Sequence, residues 1–330
     1  MQAYVVVKGS TGLDGLKRVE RDRPQPGPGE VLVRMRAASL NFRDLAVVNG
    51  KYFRGPLTQD TIPLSDGAGE VEAVGAGVQA FKRGDRVVAT FTQGQPPAAL
   101  GSPLDGVLTE YQTFREDGLL AIPPHMTFEE AATLPCAGVT VWNALMHGPK
   151  SLRPGDTVVT LGTGGVSIFA LQIGKMAGAR VIITSSSDEK LARARALGAD
   201  ELINYKATPE WEKRVLELTG GQGADHVIDT GGVGTLPHSY QAVGPGGTVS
   251  VIGVMTRPGG DLSPYPLMTK FAMVRGIFVG AREHFEGLMR AAAVNELHPV
   301  VDKTFDFEAA PDAYKALKAA QHFGKIVIRI

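Results

Sequence analysis

A single cysteine, Cys136, stands among 330 residues, which excludes an intrachain disulfide and any zinc lobe built from several thiolates. Charge of one sign is lacking too. Thirty-four Lys and Arg offset 34 Asp and Glu, so no overall field attracts nucleic acid or an anionic membrane. No apolar run reaches the ~18 residues of a membrane span. The amino terminus carries no signal-peptide pattern, and a cytoplasmic setting is expected. The seven histidines, at 125, 147, 226, 238, 284, 298 and 322, show no ligand spacing. No metal site is therefore expected from them.

What the chain does have is glycine, 41 of them, gathered at the ends of apolar runs. The most informative stretch is 155–190. Thr157–Leu161 is a β-branched run of the kind buried on both faces of a sheet. Val166, Phe169, Ala170, Ile173 and Ala177 then share one helical face, with Gly178 suited to the C′ position. A second buried strand follows at Arg180–Thr184. Between first strand and helix lies Gly162-Thr163-Gly164-Gly165-Val166-Ser167. A glycine turn there lets the main chain approach a diphosphate, which the free N–H groups of the next helix can bind. Ser167 takes the place of the third glycine of the usual fingerprint.

An Asp or Glu about 20 residues past the first glycine usually holds a ribose 2′-hydroxyl. Here the second strand ends in Ser185, Ser186 and Ser187, and the first acid is Asp188. Small hydroxyls leave room for a 2′-phosphate, with Lys190, Lys206 and Tyr205 near in sequence to add charge and a donor. NADPH is expected over NADH.

A chain of 330 residues exceeds the size at which single cores stop growing, about 250–300 residues, so two domains are expected. Residues 1–124 read as short strands separated by glycine turns, as in a partly open barrel. Thr127 and Glu130 form a capping box, and apolar residues run on from Leu134 to Leu145. Strands are expected at 157–161, 180–184, 201–204, 226–229, 248–252 and 274–279, separated by helical stretches. Six such strands with right-handed crossovers give a doubly wound parallel sheet. The tail from about 281 returns to helix, strand, helix and a last strand at 326–330.

Several motifs in order carry a resemblance over almost the full length. They are Gly67-Ala68-Gly69-Glu70-Val71, Lys82-Arg83-Gly84-Asp85-Arg86-Val87, Leu134-Pro135-Cys136-Ala137-Gly138-Val139-Thr140, the glycine turn, Leu197-Gly198-Ala199-Asp200 and Gly324-Lys325-Ile326-Val327-Ile328. The chain resembles the medium-chain dehydrogenase/reductase superfamily. The resemblance implies a GroES-like, partly open β-barrel catalytic domain (1–124 and 281–330) interrupted by a Rossmann doubly wound parallel sheet (125–280). It also implies a cofactor cleft between the two and assembly as a homodimer.

Alcohol dehydrogenases of that superfamily hold a catalytic zinc with a Cys, a His or Glu, and a second Cys. At the matching places this chain has Asn41, the pair Ser65-Asp66, and Cys136. One thiolate is short of the three protein ligands a catalytic zinc takes, and Cys136 reads as a small packed residue. Asn41-Phe42-Arg43-Asp44 and Asn49-Gly50-Lys51-Tyr52 resemble instead the zinc-free quinone oxidoreductases and zeta-crystallin-like proteins. An Asn amide and a Tyr hydroxyl can form an oxyanion-hole pair, so Asn41 and Tyr52 are the candidate catalytic residues. By the resemblance, Phe42, Thr140, Gly253, Phe278 and Val279 join the glycine turn and Ser185, Ser186, Lys190 and Tyr205 in holding the cofactor. Lys325 would reach its phosphate or adenosine end. Tyr52, Phe53, Phe91, Leu100, Met268 and Phe271 are candidates for the lining of an apolar substrate pocket. The implied activity is hydride transfer from NADPH to a quinone or α,β-unsaturated carbonyl. An alcohol dehydrogenase and a non-enzymatic NADPH-binding protein are the alternatives.

Overall fold

The computed structural model describes residues 1–52, 55–254 and 262–330. They divide into two compact units, Met1–Ala137 with Ala281–Ile330, and Gly138–Gly280.

In the first unit the strand Glu30–Ser39 is central. It pairs antiparallel with Asp66–Val74, Tyr111–Arg115 and Lys325–Arg329. The sheet continues outward through Arg86–Ala89 to Leu119–Ala121, and on the other side Val301–Asp306 runs parallel to Lys325–Arg329. The core beneath it is filled by Tyr4, Met35, Leu64, Phe114 and Tyr314. The sequence places the first domain junction at 124/125. The structure instead assigns 125–137 to this unit. Thr127 Oγ1 accepts from the Glu130 N–H at 3.1 Å and Glu130 Oε2 from the Thr127 N–H at 2.8 Å, closing the capping box. The helix so started, Phe128–Ala131, packs on Glu30–Ser39, Asp66–Val74 and Lys325–Arg329. A π-helical turn, Leu134–Gly138, leads out of it.

The second unit carries a six-stranded sheet, all parallel, in the order Glu201–Asn204, Arg180–Ser185, Thr157–Leu161, Ala224–Asp229, Val243–Val251, Met273–Gly276. The order reverses beside Thr157–Leu161, the strand that ends in the glycine turn, which is where such sheets bind nucleotides. The helix Gly165–Met176 buries Phe169, Ala170 and Ile173 as its spacing requires, and Gly178 takes φ +78° just past its end.

Two expectations are corrected. A helix expected over 233–243 is confined to Leu236–Ala242. The Asp229 carboxylate takes the Gly231 and Gly232 N–H groups and the Thr235 and Ser239 hydroxyls, which holds 230–235 in a turn. The sixth strand ends at Gly276, so Phe278 and Val279 lie beyond it. Val279 has φ +51°, which no strand accommodates. Among the described residues no helix is long and apolar enough to cross a membrane.

Candidate functional site

The glycine turn lies in the second unit. Gly162 has φ +81°, a backbone conformation that a side chain would strain. Its N–H donates to Thr184 Oγ1 on the neighbouring strand at 3.3 Å, and open space faces its Cβ position and that of Gly164. The turn is thus held to the sheet from behind and bare in front. Gly165 and Val166 open the 12-residue helix, whose first turn carries no acid and whose N-cap, Gly164, carries no capping side chain. Among the described residues no side chain caps its first N–H groups, and such groups at a helix start can bind an anion. Ser167 turns inward, its Oγ donating to the Leu161 carbonyl at 2.6 Å. That is why a third glycine is unnecessary here.

At the end of Arg180–Ser185, Ser185 is buried and its Oγ accepts from the Ser187 N–H at 3.3 Å. Ser186 and Lys190 are half-buried, and Tyr205 is exposed with its N–H bonded to the Ser185 carbonyl at 3.0 Å. These four residues therefore sit together, with Ser186 rather than Ser185 reaching outward. The nearest acid, Asp188, accepts from Asn204 Nδ2 at 2.7 Å. Gly253 belongs to the same end of the sheet. A Cβ there would lie 1.8 Å from the Thr230 carbonyl oxygen, so no larger residue fits. Thr140 is buried in the first turn of Val139–Met146. Val279 keeps its strained φ because Asn143 Nδ2 donates to its carbonyl at 2.7 Å, while Arg275 holds the Asn143 amide oxygen at 2.7 Å. Phe278, next to it, is 60% exposed.

The first unit gathers a buried polar cluster. Asn41 is the N-cap of the helix Phe42–Val48, and Asp44 Oδ2 accepts its N–H at 2.7 Å. Phe42, the first residue of that helix, is exposed. Lys325, the first residue of the last strand, is 4% exposed. Its Nζ donates to Asn41 Oδ1 and to the Leu40 carbonyl, each at 2.6 Å, and lies 4.0 Å from Asp66 Oδ2. Asp66 in turn accepts from Ser65 Oγ at 2.7 Å and from the Cys136 N–H at 3.2 Å. Asn41 Nδ2 is buried and faces the Asp66 carboxylate without closing a hydrogen bond of ordinary length.

A second layer positions Tyr52. The guanidinium of Arg43 lies 4.7 Å from the Tyr52 ring centroid and 4.9 Å from that of Phe91. Its Nε donates to Tyr52 Oη at 3.1 Å and Nη1 to the Leu100 carbonyl at 3.0 Å. In the Arg43 bond the phenol oxygen is the acceptor, so that bond does not use the phenol's own hydrogen.

Burial sets the electrostatics. It pushes the Asp44 carboxyl up to about 6, against the pull of Arg43. It likewise raises Asp66, with the Lys325 ammonium opposing. The Cys136 thiol is pushed well above the ordinary thiol range by desolvation and by Asp66 beside it.

The structure thus brings Asn41, Ser65-Asp66 and Cys136 to one place, as the resemblance implies, and adds Lys325. The resemblance implies that this lysine reaches the phosphate or adenosine end of the cofactor. It is instead buried with its ammonium bound to Asn41 and Leu40, because its strand lies beside Glu30–Ser39, where Leu40 N bonds the Ile326 carbonyl at 3.1 Å. Of the apolar pocket candidates, Phe91 and Leu100 are buried, while Met268 and Phe271 are 67% and 85% exposed and so line no enclosed pocket. Phe53 lies outside the described residues. Sequence reasoning gave no role to Arg43, Asp44 or Asp66. The Asn-x-x-Asp spacing of a helix start was the available signal for Asp44.

Comparison with known proteins agrees with this architecture. Residues 27–124 match the alcohol dehydrogenase GroES-like domain, and residues 165–295 match the zinc-binding dehydrogenase domain. A zinc-type alcohol dehydrogenase-like protein of Schizosaccharomyces pombe is 43% identical over 99% of both chains. A chloroplastic quinone oxidoreductase of Triphysaria versicolor is 32% identical, covering 96% of this chain and 94% of its own. The crystal structure of an NAD-dependent alcohol dehydrogenase superposes with a TM-score of 0.93 at 34% identity, covering both chains fully. Fold and site define an α/β oxidoreductase that pairs a GroES-like unit with a Rossmann-type parallel sheet. The chain belongs to the medium-chain dehydrogenase/reductase superfamily.

Proposed function

We propose that this oxidoreductase is a zinc-independent, NADPH-dependent reductase of quinones or α,β-unsaturated carbonyls. The observation that carries the reading is the Lys325 ammonium inside the cluster of Asn41, Asp66 and Cys136. A catalytic zinc takes three protein ligands, and these residues do not fit one. The cluster offers a single thiol, a neutral amide and a carboxylate facing an ammonium. A divalent cation placed there would meet that ammonium as a like charge. Among the described residues no three His, Cys, Asp or Glu are grouped to hold a metal.

The glycine turn and the strand end of the second unit suit a dinucleotide phosphate. The bare glycine turn and uncapped helix suit the diphosphate, and Ser186, Lys190 and Tyr205, without an acid among them, suit a 2′-phosphate. When bound, the reduced nicotinamide supplies the hydride. The protein's part is orientation and charge stabilisation. Asn41 donates through Nδ2 to the carbonyl oxygen of the substrate as negative charge gathers there, and Tyr52 donates its O–H to the same oxygen. The proton that completes the reduction comes from Tyr52 or from water. Reversible oxidation of an alcohol, with NAD(P)+ as the hydride acceptor, is the second reading, favoured by the similarity to the NAD-dependent alcohol dehydrogenase. Without a Lewis acid, alkoxide formation near neutral pH is harder, which ranks it below.

One assay plate separates the two. Purified protein is analysed for zinc and given NADPH or NADH with quinones, enones and aldehydes, or NADP+ or NAD+ with alcohols, each with and without a chelator. The expected result is NADPH-dependent turnover of a quinone or enone that the chelator leaves unchanged. Stoichiometric zinc whose removal abolishes turnover would overturn the reading.

A homodimer belongs to the same proposal. Among the described residues the strand Met273–Gly276 pairs on one side only, and Tyr265, Met268, Phe271, Val274 and Phe278 around it are exposed. An apolar patch beside an open sheet edge is a surface that a second copy can cover. Val274→Lys is expected to halve the molar mass measured by light scattering. An unchanged mass removes this edge from consideration.

A further inference from the structure

Lys325 is a buried lysine whose closest partners are not its counter-ion. Nζ sits 2.6 Å from both Asn41 Oδ1 and the Leu40 carbonyl, but 4.0 Å from Asp66 Oδ2. A lysine present only to neutralise Asp66 would close on the carboxylate to about 2.8 Å, the ordinary length of a charge-assisted bond. Asp66 is instead held back by Ser65 Oγ and the Cys136 N–H. The backbone on both sides is fixed. Lys325 N donates to the Val300 carbonyl at 3.0 Å, and Leu40 N and Ser39 Oγ both donate to the Ile326 carbonyl at 3.1 Å.

An ammonium only donates. The Asn41 atom that faces it must therefore be the amide oxygen, since a flipped amide would set N–H groups against N–H groups. Nδ2 is thereby fixed on the other side of the amide, buried and turned toward the Asp66 carboxylate, whose charged form it favours, without closing a bond of ordinary length. A cation bonded to the amide oxygen also draws electron density from the nitrogen and strengthens its N–H as a donor.

We propose that Lys325 is the positioning residue of the reaction, locking the Asn41 amide with Nδ2 as its donor face and supplying, one amide away from the substrate oxygen, the positive charge that a metal supplies elsewhere. This rests on the reading that Asn41 holds that oxygen.

The test is a double-mutant cycle at saturating NADPH with an accepted quinone or enone. Lys325→Met is expected to lower kcat on the order of 10- to 100-fold, with little change in substrate KM and none in NADPH affinity measured by fluorescence titration. In an Asn41→Ala background the same change should lower kcat by less than about threefold, because the two residues act as one unit. Should Lys325→Met fail to fold for want of a partner for Asp66, Lys325→Met combined with Asp66→Asn removes both charges, and is read against Asp66→Asn alone.

A merely structural lysine would not respond to chemical rescue. In Lys325→Ala, ethylammonium should restore part of kcat, whereas tetramethylammonium, which has no N–H donor, should not. A kcat within twofold of the reference, full additivity with Asn41→Ala, or equal rescue by both cations would each overturn the proposal while leaving the role of Asn41 standing. If Asn41→Ala alone leaves turnover unchanged, the underlying reading falls, and this one with it.

Discussion

Asn41→Asp is expected to lower kcat for a quinone or enone by about 100- to 1000-fold, the usual effect of removing one oxyanion donor, while NADPH affinity stays as it was. The substitution preserves the shape of the side chain and keeps an oxygen against Lys325 Nζ, where Asn41 Oδ1 now sits at 2.6 Å. It replaces the one group the proposal needs, the Nδ2 donor, with an acceptor. One new oxygen meets the Lys325 ammonium and the other faces Asp66, so kcat is read only on protein whose far-ultraviolet circular dichroism matches the native fold. A fall in kcat without a matching change in substrate KM marks an interaction made in the transition state rather than in binding. Tyr52→Phe should act in the same direction and more weakly, about tenfold, since the ring and its stack on Arg43 remain. Unchanged turnover in both variants, with every accepted substrate, would show that charge on the substrate oxygen is stabilised by other groups.

Ser186→Asp is expected to lower the preference for NADPH over NADH, measured as the ratio of kcat/KM values, by about 100-fold. Two negative charges on a 2′-phosphate about 6 Å from a new carboxylate repel it by about 2.8 kcal/mol at an effective dielectric of ~40, and 1.36 kcal/mol is a factor of ten. Ser186 is the right position because it is half-buried at the strand end beside Lys190, whereas Ser185 is buried with its hydroxyl oxygen engaged by the Ser187 N–H. A charge at 185 would be read mostly as misfolding. NADH already preferred by the native protein would count directly against this assignment, as would a ratio unmoved by Ser186→Asp.

How far the chain could be read in advance followed sequence distance. The βαβ unit at 157–185 was legible because its signals are local: a β-branched run, a glycine turn, then apolar residues at helical spacing. The Thr127–Glu130 capping box was legible for the same reason. The end of the sixth strand was not. A β-branched valine at 279 gives no warning of a positive φ, which depends on Asn143, far back in the chain, holding its carbonyl. The junction near residue 137 was misplaced because a short helix carries no mark of which sheet it will cover.

Taken alone, the amino-acid order determined that a parallel sheet interrupts a β-rich unit, and the resemblance it carries implied that Asn41 takes the place of a zinc-ligand cysteine. Periodicity and turn chemistry are short-range, and they survive reading one residue at a time. Only the tertiary structure decided that Lys325, 284 residues from Asn41, places its ammonium on that amide rather than on a cofactor phosphate. The physical reason is strand pairing, which sets the last strand beside Glu30–Ser39 and so brings the lysine to the start of the Phe42–Val48 helix. Burial there leaves its charge nowhere to go but onto Leu40, Asn41 and Asp66.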